Sequence, residues 1–453
     1  MVVATNSKLE DAIAAAQGAR RDALVAAREA LAAADPGRMV RRSVSLDAGR
    51  LRVGDVNLDL EAFSRVLVLG GGKASALMAA ELESILADRI TTGSVVVPEG
   101  QELPQLKRIR FEPSTHPLPT QRGVEATRSM LRSMGEPGPG DLMLCLVSGG
   151  GSALMPMPVE GVSPEDLRQV TELLLNSGAD IGEFNCVRKH LSQIKGGRLA
   201  ERFRGATLVS LIVSDVIGND LGSVSSGPTV PDGTTYEMAR EVLERRRLWK
   251  RAPESVRRAI SSGVEGRTPE TPKPGSEVFS RVRNILVGSN DEACAAAGDA
   301  LRGMGYDAKL LSTTVTGEAR VFGRTLAKSA ASSFVGRPVA LVAGGETTVR
   351  VRGKGKGGRN QELVLAAAIE LDGKRGVTIL SMGTDGIDGM TDAAGAVADS
   401  ETVERAEAAG MNPTKFLRDN DSHAFFEKLG DLIVTGSTGT NVNDVTLALI
   451  GKR

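Results

Sequence analysis

The stretch Val66-Leu67-Val68-Leu69-Gly70-Gly71-Gly72-Lys73-Ala74-Ser75 decides the fold, because a short apolar run breaks into consecutive glycines and then turns helical. The same arrangement recurs in Leu144-Cys145-Leu146-Val147-Ser148-Gly149-Gly150-Gly151-Ser152-Ala153. Short continuous apolar runs closed by glycine read as buried strands. A backbone without side chains turns sharply and aims several N–H groups at one anion. Each stretch therefore predicts a strand that feeds a phosphate-binding loop.

Outward from these two stretches the pattern continues. Candidate strands over residues 65–69, 94–97, 142–147 and 207–213 alternate with helical segments over 74–86, 122–134 and 164–176. The last segment has Ser163 as N-cap, Pro164 at the first helical position and Asp166 in capping-box register. Strands alternating with helices imply a parallel sheet covered on both faces. The run Thr268-Pro269-Glu270-Thr271-Pro272-Lys273-Pro274-Gly275 has little to bury and reads as a linker. It divides the chain into domains at residues 1–273 and 274–453. The second half restarts the alternation, with strands at 285–287, 308–311, 339–342, 378–380 and 446–450 and helices at 292–304, 320–331 and 360–371. An Ala-rich helix over 7–34 precedes everything and ends at Asp35-Pro36-Gly37. The fold class is α/β in two domains.

Composition narrows the function. At 453 residues the chain is too long for one ordinary core. Lys plus Arg and Asp plus Glu both number 56, so no net field recruits nucleic acid or an anionic membrane. Aromatic residues are only 3%, too few for base-stacking platforms. Small molecules are the expected partners. Cys145, Cys186 and Cys294 are far apart and lack CxxC spacing, which predicts buried thiols in a reducing compartment. No apolar stretch reaches the roughly 18 residues of a membrane span, and Glu10 and Asp11 interrupt the N-terminal helix where a secretory signal needs an apolar centre. A cytoplasmic protein is expected, with a homodimer left open.

The motifs carry the chemistry. A lysine directly after Gly70, Gly71 and Gly72 suits a phosphate, since the Lys73 ammonium can follow the charge of a transferring phosphoryl group. The competing reading is glycines that permit close helix packing, with Lys73 solvated. No Gly-Lys pair sits in a Walker motif, and Gly70-x-Gly72-x-x-Ser75 lacks the third glycine of a dinucleotide fingerprint. Ser148, Gly149, Gly150, Gly151 and Ser152 offer amides and hydroxyls, but not a nucleophile elbow. Asp215 closes the apolar run 207–213 and either holds Mg²⁺, accepts a hydroxyl proton or caps a helix. Arg188 and Lys195, in a segment of helical period, either point together at the ligand or lie on a solvated face. Lys354 to Glu362 is a basic glycine run leading into a helix, and Thr384 to Asp392 places Asp385, Asp388 and Asp392 at short spacing without an EF-hand register.

Together these residues resemble the class II glycerate kinases, also called glycerate 2-kinases, whose C-terminal half is the MOFRL domain. The resemblance runs over nearly the whole chain through Gly70 to Ala74, Thr115-His116-Pro117, Ser148 to Ala153, Val187 to Leu191, Ser225 to Thr229, Gly357 to Glu362, Thr391 to Gly395 and Gly439 to Asp444. It implies a Rossmann-like α/β/α N-terminal domain, a smaller α/β C-terminal domain with a mixed sheet, and a cleft between them. It implies phosphorylation of D-glycerate by ATP with Mg²⁺, with Lys73 and Arg359 as principal active-site residues; one of Asp215, Asp385 or Asp392 is expected to orient the attacking hydroxyl, with Asp215 taken as the third catalytic group. Gly70 to Gly72, Ser148 to Ser152, Lys195, Asn360, Glu362 and Asp385 are the expected nucleotide- and substrate-binding residues. Asp215, Asp385 and Asp392 are the expected metal carboxylates. The expected product is 2-phosphoglycerate. An NAD(P)H-dependent hydroxypyruvate reductase is the alternative, and a nucleotide-sensing module without catalysis is a third class.

Overall fold

The computed structural model describes residues 7–333, 337–374 and 376–451. The chain divides into two compact units, Pro36–Val287 and Met1–Asp35 with Gly288–Arg453.

The first unit opens with a small antiparallel sheet of β1 (Val44–Asp47), β2 (Arg50–Val53) and β3 (Val56–Asp59). Its main sheet comprises β4 (Arg65–Gly71), β5 (Thr92–Pro98), β6 (Ile109–Ser114), β7 (Asp141–Val147), β8 (Thr207–Val213) and β9 (Val282–Gly288). Their spatial order is β6-β5-β4-β7-β8-β9, and the pairs from β6 through to β8 are parallel. Every residue of β7 is buried, which is why its sequence is apolar throughout rather than alternating. The capping box of the helix Pro164–Asn176 forms as expected, with Asp166 N donating to Ser163 Oγ at 3.0 Å and Ser163 N to Asp166 Oδ2 at 3.4 Å.

In chain order the strands run outward from β4 to one side and then, from β7, to the other. This is the doubly wound order, and it leaves a crevice outside the carboxyl ends of β4 and β7, where such sheets bind ligands. The two glycine stretches terminate these two neighbouring strands.

The second unit holds β10 (Asp307–Val315), β11 (Val339–Gly345), β12 (Val377–Gly383), β13 (Gly395–Asp399), β14 (Leu432–Ile433) and β15 (Asp444–Ile450). The order is β10-β11-β15-β12-β13-β14, parallel only between β10 and β11 and antiparallel elsewhere, so the mixed sheet expected for this half is present. The last strand of the chain lies between β11 and β12. Its first residue, Asp444, therefore pairs with their final residues, Gly345 and Gly383.

Several expectations shift. The N-terminal helix is two helices, Ser7–Ala15 and Gly18–Ala33, with Gly18 at the start of the second at φ +54°. The second of these belongs to the second unit: Arg20 pairs with Asp399 at 2.7 Å and Asp431 at 2.5 Å, and Tyr306 donates to Asp22 at 2.9 Å. The strand read at 285–287 is the end of β9, which completes the first unit's sheet, so that unit ends at Val287 rather than at residue 273. Pro36 starts the helix Pro36–Ser43, as its missing N–H and fixed φ allow. The strands β6, β13 and β14 were not legible; β6 and β14 are short sheet-edge strands, and β6 has a Pro113 interruption. Cys145, Cys186 and Cys294 are free and buried. Among the described residues no helix is long and apolar enough to cross a membrane.

Candidate active site

The glycine loops of the first unit are hydrogen-bonded to each other. Lys73 N donates to Gly149 O at 2.9 Å, Ala74 N to Ser148 Oγ at 3.1 Å, and Ser75 Oγ lies 3.2 Å from Ser148 Oγ. Gly72 takes φ +145°, and a Cβ there would strike Ser148, so only glycine allows the two loops to meet. The expected roles of the two triplets differ. Gly70 and Gly71 are the last residues of β4, paired with β5 and β7, and Gly72 N is taken by Val96 O at 3.2 Å. These three glycines enable close approach, and Gly70 N donates to Met130 Sδ at 3.4 Å. In the second loop, by contrast, the amides of Gly149 and Gly150 donate to no other group among the described residues.

Charged groups surround those open amides. Lys73 is half-buried and has no carboxylate partner among the described residues. A Cβ on Gly150 would lie 3.1 Å from Lys73 Cγ and 3.3 Å from His116 Nε2, which brings the lysine and the histidine together against this glycine. Burial, and then the nearby Lys73 charge, push the His116 pKa below its usual value, which favours the neutral imidazole. His116 was legible only as part of a family motif. A Cβ on Gly149 would collide with the carboxylate of Asp215, which places that expected catalytic group beside Gly149.

A polar network extends from this loop. Ser225 Oγ donates to Ser148 O at 2.7 Å, and Ser152 Oγ meets Ser226 Oγ at 2.7 Å. Ser225 and Ser226 take φ of +51° and +60°, a left-handed conformation that non-glycine residues rarely hold outside constrained sites. Lys195 is 3% exposed, with its Nζ donating to Met155 O at 2.8 Å. Burial first, and the neighbouring Arg188 second, lower its pKa to about 7.

The second unit's expected residues are arranged differently. Arg359 opens the helix Arg359–Leu371 and makes a two-point ion pair with Asp444, Nε to Oδ2 at 2.6 Å and Nη2 to Oδ1 at 2.8 Å. Glu346 adds a contact at 3.1 Å. Burial opposes the charge, but the bonds to Asp444 prevail and hold the guanidinium above the usual arginine pKa. Asp388 accepts the helix's first free amides, from Asn360 at 3.0 Å and Gln361 at 2.8 Å, so the positive helix end is met from within the protein. Asn360 is buried and accepts from Ser381 Oγ at 2.6 Å. Glu362 is buried between Arg320 and Asn420, at 2.8 and 2.7 Å. Both side chains are hydrogen-bonded inside the unit.

Within the second unit, the expected metal carboxylates Asp385 and Asp392 have separate partners. Asp385 accepts from Ile387 N at 3.1 Å within its own turn, whereas Asp392 is 80% exposed and pairs with His423 at 2.9 Å. Among the described residues no group of three or more His, Cys, Asp or Glu side chains could hold a metal ion.

Comparison with known proteins agrees with the fold and the loops. A family model described as a domain of unknown function, DUF4147, matches residues 22–261, and the MOFRL family model matches 339–444. A glycerate 2-kinase from Pyrococcus horikoshii is 39% identical over 432 residues, covering 94% of this chain and 96% of its own. A D-glycerate 2-kinase from Thermotoga maritima is 42% identical over 400 residues, covering 87% and 92%. The crystal structure of a glycerate kinase from Thermotoga maritima superposes with a TM-score of 0.84 at 38% identity, covering 95% of this chain and 99% of that one. Fold and matches together define a two-domain α/β protein in which a DUF4147 region precedes a MOFRL region. The chain belongs to the class II glycerate kinase family.

Proposed function

We propose that this protein transfers the γ-phosphoryl group of ATP to the 2-hydroxyl of D-glycerate, giving 2-phosphoglycerate and ADP. The observation that carries the reading is the uncompensated Lys73 beside the open Gly149 and Gly150 amides, at the sheet crevice and next to Asp215. The names of the Pyrococcus and Thermotoga relatives support the choice of substrate.

In this mechanism the amides of Gly149 and Gly150 bond phosphoryl oxygens, and Lys73 offsets the charge that spreads over them as the bond to the leaving oxygen breaks. Asp215 accepts a hydrogen bond from the attacking hydroxyl and takes its proton as the new oxygen–phosphorus bond forms. Arg359, oriented by Asp444, is the second unit's anion-facing charge. Mg²⁺ supplies charge neutralisation as a companion of the nucleotide phosphates, a role that needs few protein ligands. Most of the rate comes from positioning and electrostatics, since the chemistry asks little covalent work of the protein.

The hydroxypyruvate reductase alternative draws on the doubly wound strand order, which dinucleotide-binding folds share. Glu99 follows β5, where such folds carry a ribose-binding acid, but its carboxylate is paired with Arg122 at 2.9 Å. One experiment separates the readings. Incubation with D-glycerate, Mg²⁺ and ATP, coupled to enolase without phosphoglycerate mutase, should yield phosphoenolpyruvate. Product that appears only with mutase present would move the phosphate to the 3-position, and NADH oxidation with hydroxypyruvate in place of any ADP formation would overturn the kinase reading.

A further inference from the structure

The helix Ile181–His190 carries Asn185 and Arg188 three positions apart, hence on one face. The turn beyond it returns Lys195 to the neighbourhood of Arg188, close enough for their charges to repel. All three groups present donors. Asn185 Oδ1 accepts from Ser226 Oγ at 3.0 Å, while its Nδ2 is buried without a hydrogen-bond partner. The Arg188 guanidinium stacks 4.1 Å above the Phe184 ring. Among the described residues no carboxylate pairs with Arg188 or with Lys195. Burial lowers Arg188 to about 10, just as it lowers Lys195. Two desolvated cations side by side with an idle amide donor are unfavourable until an anion arrives.

The cluster adjoins the reacting site through Ser226, whose hydroxyl also meets Ser152 at 2.7 Å. We propose that Asn185, Arg188 and Lys195 form the subsite for the carboxylate of the hydroxy-acid substrate, leaving the phosphoryl oxygens to Lys73 and the Gly149 and Gly150 amides. The guanidinium fork and the amide can together bond both oxygens of one carboxylate. The subsite rests on the kinase reaction proposed above and explains how an acid is chosen over a polyol. Glycerol has the hydroxyls of glycerate but offers these donors no charge, so they would stay buried and unmatched.

The test is Asn185→Asp, which keeps the acceptor for Ser226 and places a carboxylate on the helix face that carries Arg188. Its thermal stability should equal or exceed that of the wild type, because the new charge meets unpaired cations. Its KM for D-glycerate should rise about 30-fold or more, with the KM for ATP unchanged and the preference for glycerate over glycerol reduced. Arg188→Lys should show the same KM pattern, smaller in size. Asn185→Asp with a wild-type glycerate KM, or with the increase falling on ATP instead, overturns the subsite. A wild-type protein that makes no ADP from ATP and glycerate overturns the reaction itself, and the two failures are thereby distinct.

Discussion

At the end of the parallel sheet, Lys73 stands without a counter-charge beside two open amides; at the end of the mixed sheet, Arg359 is held by Asp444 and Glu346, and the helix it opens is capped by Asp388. Both ends carry glycines and a cation. Among the described residues the lysine makes no ion pair, whereas the arginine is held by one. A site short of acceptors is ready for an anionic ligand, while a satisfied one fixes the geometry of a charge that acts at its exposed edge. The contrast assigns the two cations different roles, with Lys73 acting on the reacting group and Arg359 presented by a rigid mount.

The largest effect should fall on the open end. Lys73→Ala should lower kcat by about 10³-fold, the upper range for removing one charge-stabilising donor, with a small change in the glycerate KM by steady-state kinetics. Near-normal turnover would erase the difference between the two ends. Next comes the mount. Asp444→Asn leaves Arg359 partly buried with only Glu346 as a charged partner, and should cost about 2–4 kcal/mol in chemical denaturation. An unchanged stability would show that the pair is not what holds the arginine.

The third prediction concerns pH. Lys195, lowered to about 7 by burial and by Arg188, is charged below that value and neutral above it. Since its charge favours anion binding, the glycerate KM should rise as pH passes from 6 to 8, by about tenfold or less, and Lys195→Met should flatten the profile. A wild-type KM that falls over this range would reverse the sign and remove Lys195 from the binding step. The smallest effect is expected at Asp392, exposed and paired only with His423. Asp392→Asn should alter stability by less than about 0.5 kcal/mol and leave the Mg²⁺ dependence of turnover unchanged; a shifted Mg²⁺ requirement would restore it as a metal ligand.

Much of this was legible in the sequence, and the misses share a cause. Strands β4 and β7 announce themselves because strands covered on both faces must be continuously apolar. The capping box at Ser163 is local chemistry and needs no tertiary partner. Strand β14 has only two residues and takes its identity from pairing with β13, a long-range fact. Glu362 and Asn360 stand out in the sequence because charge and amide follow a glycine run; their partners Arg320, Asn420 and Ser381 come from distant segments and could not be read there.

The sequence by itself determined the α/β class, the strand-to-glycine loops, the resemblance to a family and the cation after the first triplet, since each depends on residues within one turn or one strand. Only the tertiary structure decided which glycine amides are open, that Asp215 stands against Gly149, that Arg359 is neutralised by Asp444 and that Asn185, Arg188 and Lys195 meet without a counter-charge. Those outcomes depend on pairings between distant segments, and whether a buried charge is met or left waiting cannot be read until the segments are side by side.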